Sequence, residues 1–198
     1  MNAHGARTCV LIPMKAFGRA KSRLRGHLDD AARHALARSM FERVLSAARG
    51  CGRVHATYVI TDGHDVAQLA SRHGAEVLQD PEPALPSLGA LLDWGLTQLC
   101  ARGETRALVL MADLPNVQSE DVQALCIGLD AHAVVAAVDR RGHCTNALGV
   151  QLPYDTATAF GHPESYAEHR QRTHALGLSL CELVRPGLAH DVDVAADL

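Results

Sequence analysis

The sequence is poor in aromatic residues and has no excess of positive charge. Phe, Trp and Tyr make up 4% of its 198 residues, and its formal net charge at pH 7 is -3. Nucleic-acid-binding domains usually carry a basic face, and single-strand binders add aromatic rings on which bases stack. These shortages argue against a nucleic-acid partner. Any anionic ligand must therefore be held by a local cluster of basic side chains.

Long apolar runs and paired cysteines are also missing. No stretch reaches the roughly 18 apolar residues of a membrane-spanning helix. The first seven residues lack the apolar segment of a secretion signal. The six cysteines are scattered without any C-x-x-C pair, a spacing that favours neither a zinc site nor a disulfide framework. We therefore expect a cytoplasmic protein with reduced thiols and no membrane partner.

Several catalytic signatures are absent as well. The sequence contains neither the Walker A pattern G-x-x-x-x-G-K-[ST] nor the dinucleotide fingerprint G-x-G-x-x-G. Its 12 histidines include no H-E-x-x-H pair, and no serine lies in G-x-S-x-G. P-loop, zinc-protease and acyl-enzyme chemistry therefore have no support.

Short apolar runs alternate with amphipathic helical patterns. With 47% hydrophobic residues, the chain can bury a sizeable core. This alternation predicts a single three-layer α/β/α domain over residues 1–198, with a mostly parallel sheet and helices on both faces. Ligands of such sheets bind beyond the carboxyl ends of the strands. The predicted strands lie at 8–13, 54–60, 75–78, 106–112, 133–138, 146–152 and 178–184, and the main helices at 29–49, 64–73, 88–99, 119–129 and 166–176.

The loop after the first strand is strongly basic. It reads P-M-K-A-F-G-R-A-K-S-R-L and contains Lys15, Arg19, Lys21 and Arg23. Cations at this place can offset phosphate charge, and Gly18 would let backbone N–H groups approach the ligand. The loop therefore predicts a triphosphate site, although a merely solvated basic loop is an alternative.

Three aspartates suggest a metal site. Asp113 follows the apolar strand that leads into M-A-D-L-P, and Asp191 and Asp193 lie in the D-V-D of the tail. Two carboxylates spaced two apart on an extended segment point to the same side and repel each other. Mg²⁺ usually takes one or two carboxylates together with phosphate oxygens. We predict that these three residues bind the metal. Simple turn capping and solvent exposure are the alternatives.

The motifs together resemble a known family. The segments IPMKAFGRAKSRL, MADLP, FGHPESYAEH and GLAHDVDVAADL, in this order, are similar to those of the 2-phospho-L-lactate guanylyltransferase family. This family includes phosphoenolpyruvate guanylyltransferases and serves the synthesis of deazaflavin coenzyme F-420. The resemblance implies a Rossmann-like, nucleotide-diphospho-sugar transferase (GT-A-like) fold. It also implies transfer of GMP from GTP to the phosphate of a small phosphorylated three-carbon acid, with Mg²⁺ as cofactor and pyrophosphate as product.

The resemblance also implies roles for individual residues. Lys15, Lys21, Arg23 and Asp113 would be catalytic, and Asp113 would bind the metal with Asp191 and Asp193. Thr145, Gly161 and Ser165 would bind the acceptor. The nucleotide would be bound by Pro13, Lys15, Gly18, Lys21, Arg23, Asp62, Ser87, Leu88, Gly89 and Asp113.

Two departures from the family pattern bear on specificity. Ser87-Leu88-Gly89 stands where the family shows Gly-Leu-Asn, which affects base selection. F-G-H-P-E-S is one residue longer than the family's F-G-P-x-S turn, which leaves phospholactate, phosphoenolpyruvate and 3-phosphoglycerate open as acceptors.

Two other functions are alternatives to this guanylyltransferase. One is another nucleotidyltransferase, acting on molybdopterin or a sugar phosphate, and the other is an inactive nucleotide-binding module. Monomer and homodimer also stay open.

Overall fold

The fold is built on one seven-stranded sheet, seen in a computed structural model that describes residues 7–198. The strand order is β3-β2-β1-β4-β6-β5-β7. β6 runs antiparallel to both of its neighbours, and the other four strand pairs are parallel. The predicted mostly parallel sheet is confirmed. The strands are β1 Thr8–Pro13, β2 Val54–Thr61, β3 Glu76–Gln79, β4 Arg106–Leu110, β5 Val134–Val138, β6 Thr145–Gln151 and β7 Leu180–Leu183.

Helices cover both faces of the sheet, which confirms the predicted three layers. α1, α2 and α4 pack on one face, and α3 and α5 pack on the other. The helices are α1 Asp30–Gly50, α2 His64–Arg72, α3 Leu88–Ala101, α4 Ser119–Ala131, α5 Ser165–Ala175 and the short α6 Pro186–Ala189. Among residues 7–198, no helix combines the length and the apolar character needed to cross a bilayer.

Local sequence explains where the helices near the site begin. Asp29 caps α1 by accepting a hydrogen bond from the N–H of Ala32 at 2.7 Å. Ser87 caps α3 in the same way, with its Oγ 3.1 Å from the N–H of Ala90. Such caps satisfy N–H groups that have no partner inside the helix. The predicted starts of both helices are therefore confirmed to within one residue.

The first six residues lie outside the described part of the chain. The expectation that they carry no secretion signal, and their inclusion in a single domain over residues 1–198, stay predictions.

Strand β4 alternates between the two layers, with Leu108 and Leu110 on one side and Ala107 and Val109 on the other. This double-sided burial is why its sequence is continuously apolar.

Candidate active site

A cavity of about 520 Å³ opens at the carboxyl ends of β1 to β4. This is the edge at which ligands bind in open α/β sheets. Of the residues assigned to the nucleotide or metal, seven line the cavity: Pro13, Lys15, Lys21, Asp62, Ser87, Leu88 and Asp113. The structure therefore brings the basic loop, the start of α3 and the end of β4 to one place.

Lys21 connects the basic loop to two of the predicted metal ligands. Its Nζ donates to Asp113 Oδ2 at 2.5 Å and to Asp193 Oδ1 at 3.0 Å. Arg23 Nη1 lies 3.5 Å from Asp193 Oδ2. Lys21 adopts a left-handed conformation with φ 51°, the one positive φ among the described non-glycine residues. A non-glycine residue in this conformation costs roughly 1–2 kcal/mol, so strong interactions must hold it there.

The charges in this cluster are strongly coupled. Burial lowers the pKa of Lys21, but the attraction of Asp113 and Asp193 outweighs it, so the pKa lies above its usual range. Burial raises the pKa of Asp191, and the nearby carboxylates of Asp113 and Asp193 raise it further. Asn146 opposes this rise by donating to Asp191 Oδ1 at 3.3 Å. The cluster thus has a surplus of carboxylates that favours the approach of a cation.

The donor set of this cluster suits Mg²⁺, which prefers carboxylate oxygens. As arranged here, however, no group of three His, Cys, Asp or Glu side chains within residues 7–198 could hold a metal ion. The ammonium of Lys21 lies between Asp113 and Asp193 instead. Metal binding by Asp113, Asp191 and Asp193 therefore stays a prediction, supported by their shared position and negative charge.

Asp62 holds the basic loop in place. Its Oδ1 accepts a hydrogen bond from the N–H of Ala16 at 3.1 Å, and its Oδ2 pairs with Arg19. The neighbouring Gly63 allows this contact, because a Cβ there would come within 2.6 Å of the Cα of Ala16. Asp62 was predicted to bind the nucleotide, and it lines the cavity. The structure adds a positioning role that its sequence context did not indicate.

Arg33 anchors the same loop from α1, and sequence reasoning missed it. Its side chain is 2% exposed, donates to the carbonyl of Ala20 at 2.7 Å and pairs with Asp30. The available signal was an arginine four residues before Ala37, on the buried face of the helix. Burying a guanidinium is costly unless it is paired. The buried Arg33 is therefore strongly bound to its partners, and its bond to Ala20 fixes this part of the loop.

Two predicted glycines lie outside the cavity lining. Gly18 has open space where a Cβ would be, and its φ is not positive, so the loop does not need glycine there. Gly89 lies near the start of α3, where a Cβ would come 3.2 Å from the carbonyl of Thr158 and 3.3 Å from that of Phe160. Gly89 thus permits close packing of α3. Contact of either glycine with a nucleotide stays a prediction without geometric support.

The predicted acceptor residues form a buried network with His169. Thr145 and Ser165 are 3% and 2% exposed, and the N–H of Thr145 donates to Ser165 Oγ at 2.9 Å. His169 Nε2 accepts from the N–H of Ala159 at 2.8 Å, so the neutral ring donates from Nδ1 to Thr145 Oγ1 at 2.9 Å. The two hydroxyls already have partners inside the protein. Their hydrogen bonds favour a role for both residues in shaping the acceptor segment. Direct contact of Thr145 or Ser165 with the acceptor stays a prediction.

Gly161 lies in the turn before α5. Its φ of +87° is in the left-handed region, where a side chain would be strained. The turn leads into Ser165, which bonds to Thr145, and the next residue, Asn146, contacts Asp191 of the carboxylate cluster. The predicted acceptor segment and the predicted metal ligands therefore meet at one edge of the sheet.

Asp197 fixes the tail and was also missed. Its Oδ2 accepts from the N–H groups of Asp193 and Val194, each at 2.9 Å. Its Oδ1 pairs with Arg140 and with Arg141, the latter at 2.9 Å. Burial raises the pKa of Asp197, but these hydrogen bonds and the arginines outweigh it and lower the pKa. Asp197 therefore places Asp193 beside Lys21.

We expect the buried His169 to make the protein less stable in acid. Burial, aided by Arg172, lowers its pKa from 6.5 to about 4. The unfolded chain thus binds a proton that the folded chain does not between these values, and stability is lost as pH falls from about 6.5 towards 4. The full loss is on the order of 3 kcal/mol. Urea unfolding at pH 7 and at pH 4.5 measures it.

The matched variant for this test is His169→Gln, which keeps hydrogen-bonding groups but does not titrate. It should be less stable than the parent at pH 7 yet lose less stability on acidification. Equal losses in both proteins would show that other groups cause the acid sensitivity.

Comparison with known proteins agrees with this geometry. Residues 8–198 match the family described as guanylyl transferase CofC like. The phosphoenolpyruvate guanylyltransferase of Sphaerobacter thermophilus is 33% identical over 191 residues, covering 96% of this chain and 90% of that protein. The 3-phospho-D-glycerate guanylyltransferase of Phenylobacterium zucineum is 36% identical, covering 90% and 82%.

The fold also has solved counterparts. A nucleotide-diphospho-sugar transferase structure from Desulfovibrio desulfuricans G20 superimposes with a TM-score of 0.78 at 16% identity, covering 94% of this chain and 82% of that one. At this identity the likeness concerns the fold, and it confirms the predicted transferase architecture. The family match over nearly the whole chain and the two curated relatives carry the assignment, and the chain belongs to the CofC-like guanylyl transferase family.

Proposed function

We propose that this chain transfers GMP from GTP to the phosphate of a small phosphorylated three-carbon acid, releasing pyrophosphate. The observation that carries the proposal is the cluster of Lys21, Asp113 and Asp193, of which Lys21 and Asp113 line the cavity. The acceptor is 2-phospho-L-lactate, phosphoenolpyruvate or 3-phosphoglycerate. We place the reaction in the cytoplasm, where GTP is made, as a step of deazaflavin coenzyme F-420 synthesis.

The reaction is an in-line displacement at the α-phosphorus of GTP. A phosphate oxygen of the acceptor forms the new P–O bond, and the bond to the β-phosphate oxygen breaks with its electron pair leaving on pyrophosphate. The nucleophile is already anionic, so no strong general base is needed. Catalysis then rests on positioning and on charge neutralisation.

Residues of the cavity and of the adjoining carboxylate cluster divide this task. Lys15, Lys21 and Arg23 neutralise charge on the triphosphate and on the departing pyrophosphate. Asp113, Asp191 and Asp193 would hold Mg²⁺, which neutralises charge shared by nucleotide and acceptor oxygens when it is bound. Asp62 and Arg33 keep the basic loop near the carboxylates through the contacts described above.

The acceptor is bound beside this cluster. Ser165, the first residue of α5, bonds to Thr145, and the adjacent Asn146 contacts Asp191. The N–H groups of His162, Glu164 and Ser165 already have acceptors inside the turn, which leaves the N–H of Gly161 to bind a carboxylate or phosphate. The buried hydroxyls of Thr145 and Ser165 hold the turn in shape from below.

The test is pyrophosphate release with each of the four NTPs, combined with each of the three acids, with and without Mg²⁺. We expect release with GTP and one acid, and only when Mg²⁺ is present. Release with a nucleotide other than GTP would contradict the proposal. So would release in a parallel assay in which molybdopterin or a sugar phosphate replaces the three acids. Silence from folded protein that still binds GTP would indicate a nucleotide-binding module.

A further inference from the structure

Asp80 is a carboxylate in the nucleotide cavity that the reaction scheme does not use. Three carboxylates line this cavity: Asp62, Asp80 and Asp113. Asp62 is engaged by Arg19 and Ala16, and Asp113 by Lys21. Asp80 is different, because Oδ1 of its side chain is buried and receives no hydrogen bond from any residue of the described chain.

The backbone of Asp80 is nevertheless held at a defined place. Asp80 follows β3 directly, and its N–H donates to the carbonyl of Thr61 at 3.3 Å. Burial raises the pKa of its carboxyl, against the opposing effect of Arg19 and Lys15. A buried acceptor without a donor is unfavourable. An N–H group on a ligand in the cavity would remove this deficit.

The position of Asp80 suits the base of a nucleotide. β3 and β4 are separated by β2 and β1, so Asp80 and Asp113 follow strands three spacings apart, or about 14 Å. A nucleotide whose phosphates lie at Lys21 and Asp113 therefore extends its base towards Asp80. The cavity also offers apolar surface for a base face, from the loop after β3 and from α3: Ala84, Leu85, Pro86, Leu88 and Leu91.

We infer that Asp80 selects guanine by accepting hydrogen bonds from N1–H and the 2-amino group of the base. Guanine presents these two donors side by side, which matches a carboxylate with two acceptor oxygens. Adenine and cytosine present a ring-nitrogen acceptor beside their amino group, and uracil presents one N–H between two carbonyls. Each of those bases would place an acceptor against the carboxylate and leave it unpaired.

This inference rests on the proposed use of a guanine nucleotide and assigns its recognition to a residue. It also explains how base selection survives without the asparagine that Ser87-Leu88-Gly89 lacks. In this chain Gly89 packs against Thr158 and Phe160 rather than lining the cavity. Guanine selection then comes from the end of β3 instead of the start of α3.

The experiment is calorimetric binding of GTP and XTP to the wild type, Asp80→Asn and Asp155→Asn, all with Mg²⁺. Xanthine carries a carbonyl where guanine has its 2-amino group, so it pairs with an amide rather than a carboxylate. Asp80→Asn should bind GTP roughly 100-fold more weakly and should prefer XTP to GTP. Asp155→Asn makes the same change at an exposed residue outside the cavity and should keep the wild-type preference.

A second measurement needs no substitution. ITP lacks only the 2-amino group, so the wild type should bind ITP roughly tenfold more weakly than GTP. Equal binding of ITP and GTP, or an unchanged GTP preference in folded Asp80→Asn, would overturn the inference.

Binding is read without an acceptor, so the two proposals can fail separately. A wild type that prefers GTP through Asp80 but releases no pyrophosphate would overturn the proposed reaction alone. Guanine-specific pyrophosphate release that survives in Asp80→Asn would overturn the role of Asp80 alone.

Discussion

Replacing Asp113 with asparagine is expected to lower kcat for pyrophosphate release by about a hundredfold or more while the protein stays folded. Asp113 lies beyond the end of β4, lines the cavity and accepts a hydrogen bond from Lys21. The amide has the same shape, so packing is preserved, but the negative charge that attracts a metal and orients Lys21 is lost. Losing one such electrostatic contact costs on the order of 3 kcal/mol in the transition state.

The measurement is steady-state kinetics with GTP and the preferred acid over a range of Mg²⁺ concentrations. The variant should also need more Mg²⁺ to reach half of its own maximal rate, which a purely structural defect would not cause. Asp155→Asn, at an exposed position outside the cavity, is the matched control. Turnover in Asp113→Asn within a few-fold of the control would remove Asp113 from the predicted metal site.

Replacing Lys21 with methionine is expected to lower kcat/KM for GTP by about a hundredfold. The ammonium bridges Asp113 and Asp193, and its position in the cavity lets it reach the triphosphate. Methionine keeps much of the length but removes the charge, so Asp113 loses its cation and Asp193 keeps only Arg23. The loss of one buried charge contact to a phosphate costs on the order of 3 kcal/mol.

Two further variants separate charge from backbone strain. Lys21→Gly relieves the left-handed backbone at φ 51°, so it should be at least as stable as Lys21→Met while showing the same loss of kcat/KM. Arg25→Met removes an exposed cation four residues further along the same loop and should leave kcat/KM near the parent value. Equal loss in Arg25→Met and Lys21→Met would mean that the loop acts through its overall charge.

Much of the fold follows from local sequence. The apolar run TCVLIP predicted β1 with its observed bounds, the cap at Asp29 predicted the start of α1, and the end of the proline-rich loop predicted the start of α3. The run before Asp113 predicted β4, although the strand ends at Leu110, two residues earlier than expected. These features depend on side-chain period and on hydrogen bonds between neighbours, which are visible in a single segment.

The site was predictable in part. The basic residues after β1 and Asp113 after β4 indicated which loops meet, because the carboxyl ends of parallel strands share an edge. The sequence did not indicate that Asp62 pairs with Arg19, that Arg33 anchors Ala20, or that Asp197 fixes Asp193. Each of these contacts joins a charged residue to a partner whose nearness only the folded chain reveals.

The sequence by itself determined the class of the protein: an α/β transferase of the CofC-like guanylyl transferase family, with a basic loop and three aspartates as its signature. The tertiary structure decided how these residues are paired. Lys21 meets Asp113 across 92 positions and Asp193 across 172, and the buried Oδ1 of Asp80 has no hydrogen-bond partner among residues 7–198. Helix caps and the side-chain period of a strand are visible within one short segment, whereas the pairing of charges depends on loop paths and on burial. Both of these emerge only when the distant segments pack together.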